Sequence, residues 1–265
     1  MIFLVKKFFL IILRKLGIEI FVYRKSEMYN GFPVDRKFFH KDFSSFETKI
    51  LTSVRDFTMT SPERVISLIH AVSYLSKNKI FGNIVECGVW RGGSMMTVAK
   101  TLIENNDLDR DLFLCDTFDG MPSPDPELDT DLNQVVASEY MSKHEKSEND
   151  YIWAFSQIEK VKANMMSTGY DTSRIHYLEG LVENTLPDER IQDIALLRLD
   201  TDFYSSTAHE MNILFPKLVK GGVLIIDDYG HWGGARKAVD DYLIENAVQI
   251  HLVRIDYSCR IGIKF

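Results

Sequence analysis

The segment Val223–Tyr229 reads VLIIDDY, an apolar run that ends in two adjacent carboxylates. A second run, Ile194–Asp200, reads IALLRLD and also ends in an acid. Both runs are short, rich in branched aliphatic residues and without polar alternation, which is typical of buried parallel strands. Because ligands of an open α/β sheet bind beyond the carboxyl ends of its strands, we expect Asp200, Asp227 and Asp228 to converge there. Three unpaired acids repel one another, and this repulsion favours a hard divalent cation between them.

Strands and helices alternate around these two runs, from residue 81 to the end of the chain. This alternation predicts an α/β fold with a doubly wound, Rossmann-like sheet that is mostly parallel and has a final antiparallel strand. Ser61-Pro62-Glu63 opens a helix before the sheet, with a capping serine and a proline at the first helical position. The predicted strands are Ile84–Cys87, Leu112–Cys115, Ile175–Leu178, the two runs above, and a hairpin of 250–255 and 259–265. The predicted helices are Ser94–Glu104, Tyr151–Ser167, 205–218 and Ala235–Asn246, with Gly221-Gly222 turning the chain into the strand that reaches Asp227.

The chain divides into an N-terminal extension at residues 1–60 and one α/β domain at residues 61–265. Residues 117–150 are acidic, irregular and interrupted by prolines, and so long an insertion on the ligand side of a sheet is typical of a lid or binding loop. Residues 1–25 carry six lysines and arginines against one acid, among apolar runs too short to span a bilayer. They form either a basic amphipathic helix on a membrane surface or a helix packed on the core or on a second subunit.

Composition narrows the class of protein. The chain has 265 residues, 45% of them hydrophobic, and a net charge of −7, which argues against a nucleic-acid partner. The three cysteines are far apart in sequence and are read as reduced, buried thiols. Residues 1–25 lack the pattern of a signal peptide. These observations favour a cytoplasmic protein, with contact to the inner face of the membrane as the alternative for the basic N-terminus.

The segment Val85–Ser94 reads VECGVWRGGS, and its glycines let the backbone pass close to a ligand. Glu86 would repel a pyrophosphate but would attract an ammonium or a sulfonium, and S-adenosylmethionine carries both. The competing interpretation makes Glu86 the partner of a structural salt bridge. Asp116 follows the next predicted strand, where an acid can accept hydrogen bonds from two ribose hydroxyls. Gly180 ends the strand after that and is expected at the edge of an adenine pocket.

Together these motifs resemble those of metal-dependent S-adenosylmethionine O-methyltransferases of the catechol type. The closer resemblance is to the macrocin/mycinamicin sugar O-methyltransferase family. Five segments carry it in the same order: Val85–Ser94, Asp116–Pro122, Leu178–Pro187, Leu196–Tyr204 and Pro216–Tyr229. The resemblance implies a class I methyltransferase fold, and methyl transfer from S-adenosylmethionine to a sugar hydroxyl with the help of Mg²⁺.

The resemblance also implies residue roles. Asp200, Asp227 and Asp228 would bind Mg²⁺, and Asp200 would in addition be the general base. The residues expected to line or cover the cofactor are Thr58, Met59, Glu86, Gly88, Ser94 and Asp116. Residues 123–150 look unlike the macrolide enzymes, which argues against a macrolide acceptor. The expected acceptor is a glycoside, a polysaccharide or a natural-product sugar, and the basic, apolar N-terminus favours a polysaccharide or a lipid-linked sugar. A homo-oligomer is also expected.

Several alternatives stay open at this point. His231 is a reserve candidate for the base, with substrate contact or loop packing as its other possible roles, and His209 is read as structural. Asp200-Thr201-Asp202 is formally the DxD pattern of a metal-dependent glycosyltransferase. A nicotinamide dehydrogenase is disfavoured because Gly-x-Gly-x-x-Gly is absent. A third alternative is a non-catalytic, membrane-associated protein on a methyltransferase scaffold.

Overall fold

A computed structural model describes residues 28–29, 32–33, 43–148 and 150–265. The predicted membrane or subunit contact of residues 1–25 lies outside these residues. Within the described ranges, no helix is both long enough and apolar enough to cross a membrane. The expectation of a homo-oligomer stays a prediction.

Seven strands form the main sheet. They are β3 Asn83–Cys87, β4 Leu112–Asp116, β5 Ile175–Glu179, β6 Ile194–Leu199, β7 Leu218–Ile226, β8 Val253–Arg254 and β9 Arg260–Ile263. Their order across the sheet is β5-β4-β3-β6-β7-β9-β8. A separate antiparallel pair joins β1 Met28–Tyr29 to β2 Phe32–Pro33. Strands β3 to β7 are parallel, whereas β9 pairs antiparallel with β7 and with β8. The predicted doubly wound, mostly parallel sheet is therefore confirmed.

Eight α-helices surround the sheet in the described part of the chain. They are α1 Ser45–Val54, α2 Pro62–Lys77, α3 Gly93–Glu104, α4 Ala137–Ser142, α5 Ile158–Met166, α6 Val182–Thr185, α7 Tyr204–Ile213 and α8 Gly233–Glu245. Neighbouring residues of one strand enter opposite apolar layers. Ile84 packs with α1, α2 and α3, while Val85 packs with α7 and α8. Because both faces are covered, the strands read as continuous apolar runs.

The structure differs from the predicted elements in the stretches between the strands. The helix predicted at Tyr151–Ser167 begins only at Ile158, because residues 151–154 form a turn in which the carbonyl of Trp153 accepts from the amide of Met121 (3.0 Å). Gly221-Gly222 lies inside β7 rather than before it, at an irregularity where the register with β6 shifts.

Two helices also differ from the sequence reading. The helix predicted over 205–218 ends at Ile213, and a 3₁₀ turn at Phe215–Lys217 contains the proline that cannot continue it. Helix α1 was not predicted. It starts with a capping box in which the Ser44 hydroxyl accepts from the amide of Glu47 and the Glu47 carboxylate accepts from the amide of Ser44.

Backbone contacts between strand ends place the ligand side of the sheet. The amide of Asp200 donates to the carbonyl of Cys87, and the amide of Asp227 donates to the carbonyl of Leu199, both at 2.9 Å. Gly88 has φ +82°, and a Cβ atom there would overlap the main-chain carbonyl of Asp200. Only glycine allows the ends of β3 and β6 to approach so closely.

Candidate active site

A cavity of about 530 Å³ opens at the carboxyl ends of the central strands. Its walls come from residues 57–60, the loop after β3, the insertion at 117–150, the start of α7 and the segment after β7. It brings together most of the site residues that the sequence predicted. Those in its wall are Thr58, Met59, Gly88, Ser94, Asp116, Gly180, Asp200, Asp227, Asp228 and His231.

Three carboxylates meet at one corner of this cavity. Asp200 at the end of β6 and Asp227 and Asp228 at the end of β7 each offer one oxygen, and these oxygens lie within 4.8 Å of one another. We call these three residues the carboxylate corner. The register of β6 with β7 brings it together, as the two apolar runs predicted.

Arg198, the last but one residue of β6, lies beneath the carboxylate corner. Its guanidinium donates to Glu86, Asp200 and Asp227, each at 2.6 Å. Glu86 is directed at Arg198 and does not line the cavity. The structure thus shows the salt bridge that the sequence left open as an alternative, and a cofactor contact of Glu86 stays a prediction. Sequence reasoning gave Arg198 no role, although a lone cation in a buried apolar strand was a usable signal.

Arg64, in the first turn of α2, is the second cation of the site. Its Nη1 donates to Oδ2 of Asp227, and its Nε donates to Asp256 at 2.6 Å. Asp227 therefore accepts one arginine at each oxygen. Burial opposes ionisation, but Arg198 and Arg64 hold the pKa of Asp227 below its usual value.

Asp202 and Asp228 interact on the cavity side of the corner. Burial raises the pKa of Asp202 to about 7, and burial and the charge of Asp202 raise the pKa of Asp228. Oδ2 of Asp228 is buried and has no hydrogen-bond partner among the described residues. Asp202 has φ +65°, an uncommon backbone conformation for a residue other than glycine. The sequence presented Asp202 only as the second acid of the DxD pattern, not as a site residue in this setting.

Asp116 organises the loop after β3. Its Oδ2 accepts from the amides of Val89 (2.6 Å) and Trp90 (3.1 Å), and its Oδ1 accepts from the amide of Phe118 (2.7 Å). Trp90 and Phe118 both have positive φ angles, near +50°. The carboxylate therefore holds the loop after β3 in shape, and its predicted bond to ribose stays a prediction.

The two histidines considered from the sequence lie in different settings. His231 is part of the cavity wall, its Nδ1 is buried without a partner among the described residues, and burial lowers the pKa of the imidazole. Its ring meets Trp232 edge-on at 4.9 Å. His209 lies on α7, where its Nε2 is 3.2 Å from the carbonyl of Leu186. His231 is thus the histidine that can reach a bound ligand.

The insertion and the residues just before α7 and α8 together form the apolar side of the cavity, which we call the aromatic wall. The insertion contributes Met121, Tyr140 and Met141, and the two helix starts contribute Phe203 and Trp232. Trp232 meets Phe203 at 5.9 Å and Tyr140 at 6.4 Å, both edge-on. The lid-like character predicted for the insertion stays a prediction.

The insertion is anchored by Asp129, which is 1% exposed. Its Oδ1 accepts from the amide of Tyr204, the first residue of α7, at 2.8 Å. The carbonyl of Thr130 accepts from the amide of Gly233, the first residue of α8, at 2.8 Å. The insertion is thus joined to the starts of two helices that border the cavity.

The carboxylate corner fits a divalent cation. Carboxylate oxygens are the ligands that Mg²⁺ prefers, and here three converge. The buried, unpartnered oxygen of Asp228 lacks the positive partner that a cation would give it. Two arginines offset part of the negative charge of this corner, through Asp200 and Asp227, and neither makes a salt bridge with Asp228.

The strand order, with its reversal between β3 and β6 and a cavity at the carboxyl ends, is that of the class I methyltransferases. The sequence profile of the family described as Macrocin-O-methyltransferase (TylF) matches residues 47–261. The chain belongs to this family of O-methyltransferases. This finding confirms the resemblance read from the five sequence segments and the prediction of an O-methyltransferase.

Individual relatives agree with this assignment. Demethyldecarbamoylnovobiocin O-methyltransferase of Streptomyces niveus is 29% identical over 224 residues, which are 83% of this chain and 81% of the relative. The 8-demethyl-8-(2,3-dimethoxy-alpha-L-rhamnosyl)-tetracenomycin-C 4'-O-methyltransferase of Streptomyces olivaceus is 33% identical over 185 residues, 70% of this chain and 67% of the relative. The solved structure of the O-methyltransferase NovP has a TM-score of 0.67 at 27% identity and covers 82% of this chain and 87% of NovP. The similarity extends over most of each chain.

Proposed function

We propose that this protein transfers a methyl group from S-adenosylmethionine to a hydroxyl of a sugar-containing acceptor, with Mg²⁺ held at the carboxylate corner. The observation that carries the proposal is the convergence of Asp200, Asp227 and Asp228 in the wall of a cavity that the glycine-rich loop also borders. Family membership supports methyl transfer to oxygen. The name of the Streptomyces olivaceus relative, which describes 4'-O-methylation of a rhamnosyl-tetracenomycin, supports a sugar-containing acceptor.

The cofactor would bind along the loop after β3. Gly88 at the start of this loop and Ser94 in the first turn of α3 border the cavity, and Gly180 borders it just after β5. The amide of Gly93 donates to the carbonyl of Phe57 at 2.9 Å, which holds residues 57–60 over the start of α3. In this proposal Thr58 and Met59 would cover the cofactor. When bound, S-adenosylmethionine supplies an electrophilic methyl group on a sulfonium.

The chemistry at the corner is proton removal from a poor nucleophile. When bound, Mg²⁺ supplies a Lewis acid that lowers the pKa of an alcohol. Asp200 and Asp228 would hold the ion, and Oδ2 of Asp200 is already engaged by Arg198. Asp202 lines the cavity next to Asp228 and has no arginine partner among the contacts described above, so it joins Asp200 and His231 as a candidate to accept the proton.

The aromatic wall would bind the acceptor. Aromatic rings present flat apolar surface to the C–H face of a sugar, while polar groups fix its hydroxyls. The hydroxyl of Tyr140 donates to Asp131 at 2.7 Å, which keeps this ring in place. The amide of Trp232 in this wall donates to the carbonyl of Asp228 at 3.0 Å, so a sugar bound on the wall would lie close to the carboxylate corner.

The variant Asp228→Asn tests the proposed metal role. Asp228 is preferable to Asp227 because its removal leaves both arginine pairs of Asp227 intact. We expect the exchange to lower methyl transfer by about a hundredfold or more, since it removes one charged ligand, while the affinity for S-adenosylmethionine stays near that of the unmodified protein. Transfer is measured by mass spectrometry over a panel of glycosides, and cofactor affinity by calorimetry. Asp109→Asn, at an exposed carboxylate, is the matched control.

Removing the metal gives an independent test. Treatment with EDTA is expected to abolish transfer, and added Mg²⁺ to restore it, while cofactor binding persists. Full activity after exhaustive chelation would reject the metal part of the proposal. Binding of a UDP-sugar, with none of S-adenosylmethionine, would instead favour the glycosyltransferase interpretation of Asp200-Thr201-Asp202.

A further inference from the structure

We infer that Arg64 is a displaceable internal cation that occupies Asp227 when no divalent ion is bound and thereby sets the affinity of the carboxylate corner for that ion. The inference rests on the proposed metal role of the corner. It adds an exchange reaction: the ion gains Asp227 Oδ2 as Nη1 of Arg64 leaves it.

The first step of the argument concerns the oxygens of Asp227. Arg198 takes Oδ1 at 2.6 Å, and Arg64 takes Oδ2. Each oxygen keeps a second lone pair, but a guanidinium at hydrogen-bond distance repels a dication that approaches the same carboxylate. Withdrawal of one arginine would therefore make Asp227 a stronger ligand for the ion.

The second step identifies which arginine withdraws. Arg198 has a side chain only 5% exposed and bridges Glu86, Asp200 and Asp227, so its departure would leave several buried charges uncompensated. Arg64 has a side chain 12% exposed and pairs with two carboxylates, those of Asp227 and Asp256, although both arginines border the cavity. Asp227 would keep Arg198 after Arg64 withdrew.

The third step is the alternative partner of Arg64. Nε of Arg64 donates to Asp256, a different nitrogen from the one that meets Asp227. Asp256 is itself held by the hydroxyl of Ser61 at 2.8 Å. The guanidinium also lies 5.8 Å from the ring centre of Tyr257. Rotation about the Nε contact can thus release Asp227 while the charge of Arg64 stays paired and beside an aromatic ring.

These contacts predict opposite effects for two variants. Arg64→Gln removes the competing charge, so Mg²⁺ is expected to bind about fivefold tighter or more. Asp256→Asn keeps an oxygen for the amides of Ser258 and Cys259 but removes the charge that receives Arg64. It should therefore hold Arg64 on Asp227 and weaken Mg²⁺ binding by a similar factor. A purely structural Arg64 would make both variants weaker, because each would loosen the corner.

The test is calorimetric titration of the full chain with Mg²⁺, and with Mn²⁺ followed by electron paramagnetic resonance, after removal of bound metal. Arg174→Gln, which removes one exposed arginine paired with Asp109, controls for net charge and should stay within about twofold of the unmodified protein. The rise in melting temperature with added Mg²⁺ is a second readout, and it should be larger in Arg64→Gln than in the unmodified protein.

The outcomes separate the two proposals. If the unmodified protein binds Mg²⁺ and Arg64→Gln binds it no more tightly, the inference is overturned, but the proposed metal site is supported. If Arg64→Gln binds Mg²⁺ and the unmodified protein does not, the inference is supported and Arg64 competes strongly with the ion. No binding by any variant overturns both. If Arg64→Gln does not fold, the Mg²⁺ affinity of Asp256→Asn is the test. Unchanged or tighter Mg²⁺ binding by Asp256→Asn would overturn the proposed exchange.

Discussion

The carboxylate corner and the aromatic wall line the same cavity but are held together by different interactions. The corner stands on the ends of adjacent parallel strands, and its acids are balanced by Arg198 and Arg64. The wall stands on an irregular insertion joined to two helix starts, chiefly through Asp129. In the corner, geometry follows from strand register and stability from charge balance. In the wall, both depend on a few hydrogen bonds and ring contacts.

This difference has a consequence for mutation. Removing one charge from the corner leaves other charges buried without a partner. Removing one hydrogen bond or ring contact from the wall leaves only uncharged groups without a partner. Large stability effects should therefore cluster in the corner. Effects that change acceptor binding alone should cluster in the wall.

The largest expected effect comes from Arg198→Met. Met has a similar length but no charge, so Glu86, Asp200 and Asp227 would lose their shared partner. We expect the free energy of unfolding to fall by about 3–5 kcal/mol, measured by urea denaturation without added metal. Adding Glu86→Gln to Arg198→Met should recover part of this loss, because it removes one of the uncompensated charges. A loss below about 1 kcal/mol would contradict the view that charge balance governs the corner.

A smaller effect is expected for Asp129→Ala in the wall. The exchange removes the acceptor for the amide of Tyr204 at the start of α7, and a lost helix cap costs about 0.5–2 kcal/mol. We also expect the KM for the acceptor to rise while the affinity for S-adenosylmethionine is unchanged. Asp125→Ala, in the same loop but capping only local amides, is the control. Equal losses of cofactor and acceptor binding would show that the two regions do not act separately.

The same difference explains what the sequence could predict. The corner was predictable because its acids end short apolar runs, and such runs can be read locally as strands. Its balancing cations were harder to find, since Arg198 meets Glu86 across 112 positions and Arg64 meets Asp227 across 163. These pairings depend on the order of the strands in the sheet, which a local sequence pattern does not predict.

The wall was less predictable still. Residues 117–150 have no hydrophobic period, and their anchor joins Asp129 to Tyr204 across 75 positions. The sequence therefore predicted an insertion but not its contacts. The overlong helix predicted from Tyr151 has the same cause, because the turn at 151–154 is held by the amide of Met121, 32 positions before Trp153 in the chain.

The smallest predicted effect concerns His231, which lies where the two regions meet. Burial lowers the pKa of its imidazole below the usual 6.5, Arg64 of the corner lowers it further, and Asp131 of the insertion opposes both. Below pH 6.5 the unfolded chain then binds more protons at this position than the folded chain does. The contribution of neutral His231 to stability is therefore present above that pH and is lost as the pH falls through the folded value. His231→Gln should flatten the fall in melting temperature between about pH 7 and pH 5.

The control for this measurement is His251→Gln, at an exposed position, which should leave the slope unchanged. The single variant Arg64→Gln then separates the contributions of the two regions. If Arg64 of the corner dominates, Arg64→Gln alone should flatten the slope nearly as much as His231→Gln does. If burial against Trp232 dominates, Arg64→Gln should leave most of the slope in place, because the ring contact at 4.9 Å persists. If the slope is the same in His231→Gln and in the unmodified protein, this histidine titrates alike in the folded and unfolded chain. Water would then reach His231 between the carboxylate corner and the aromatic wall.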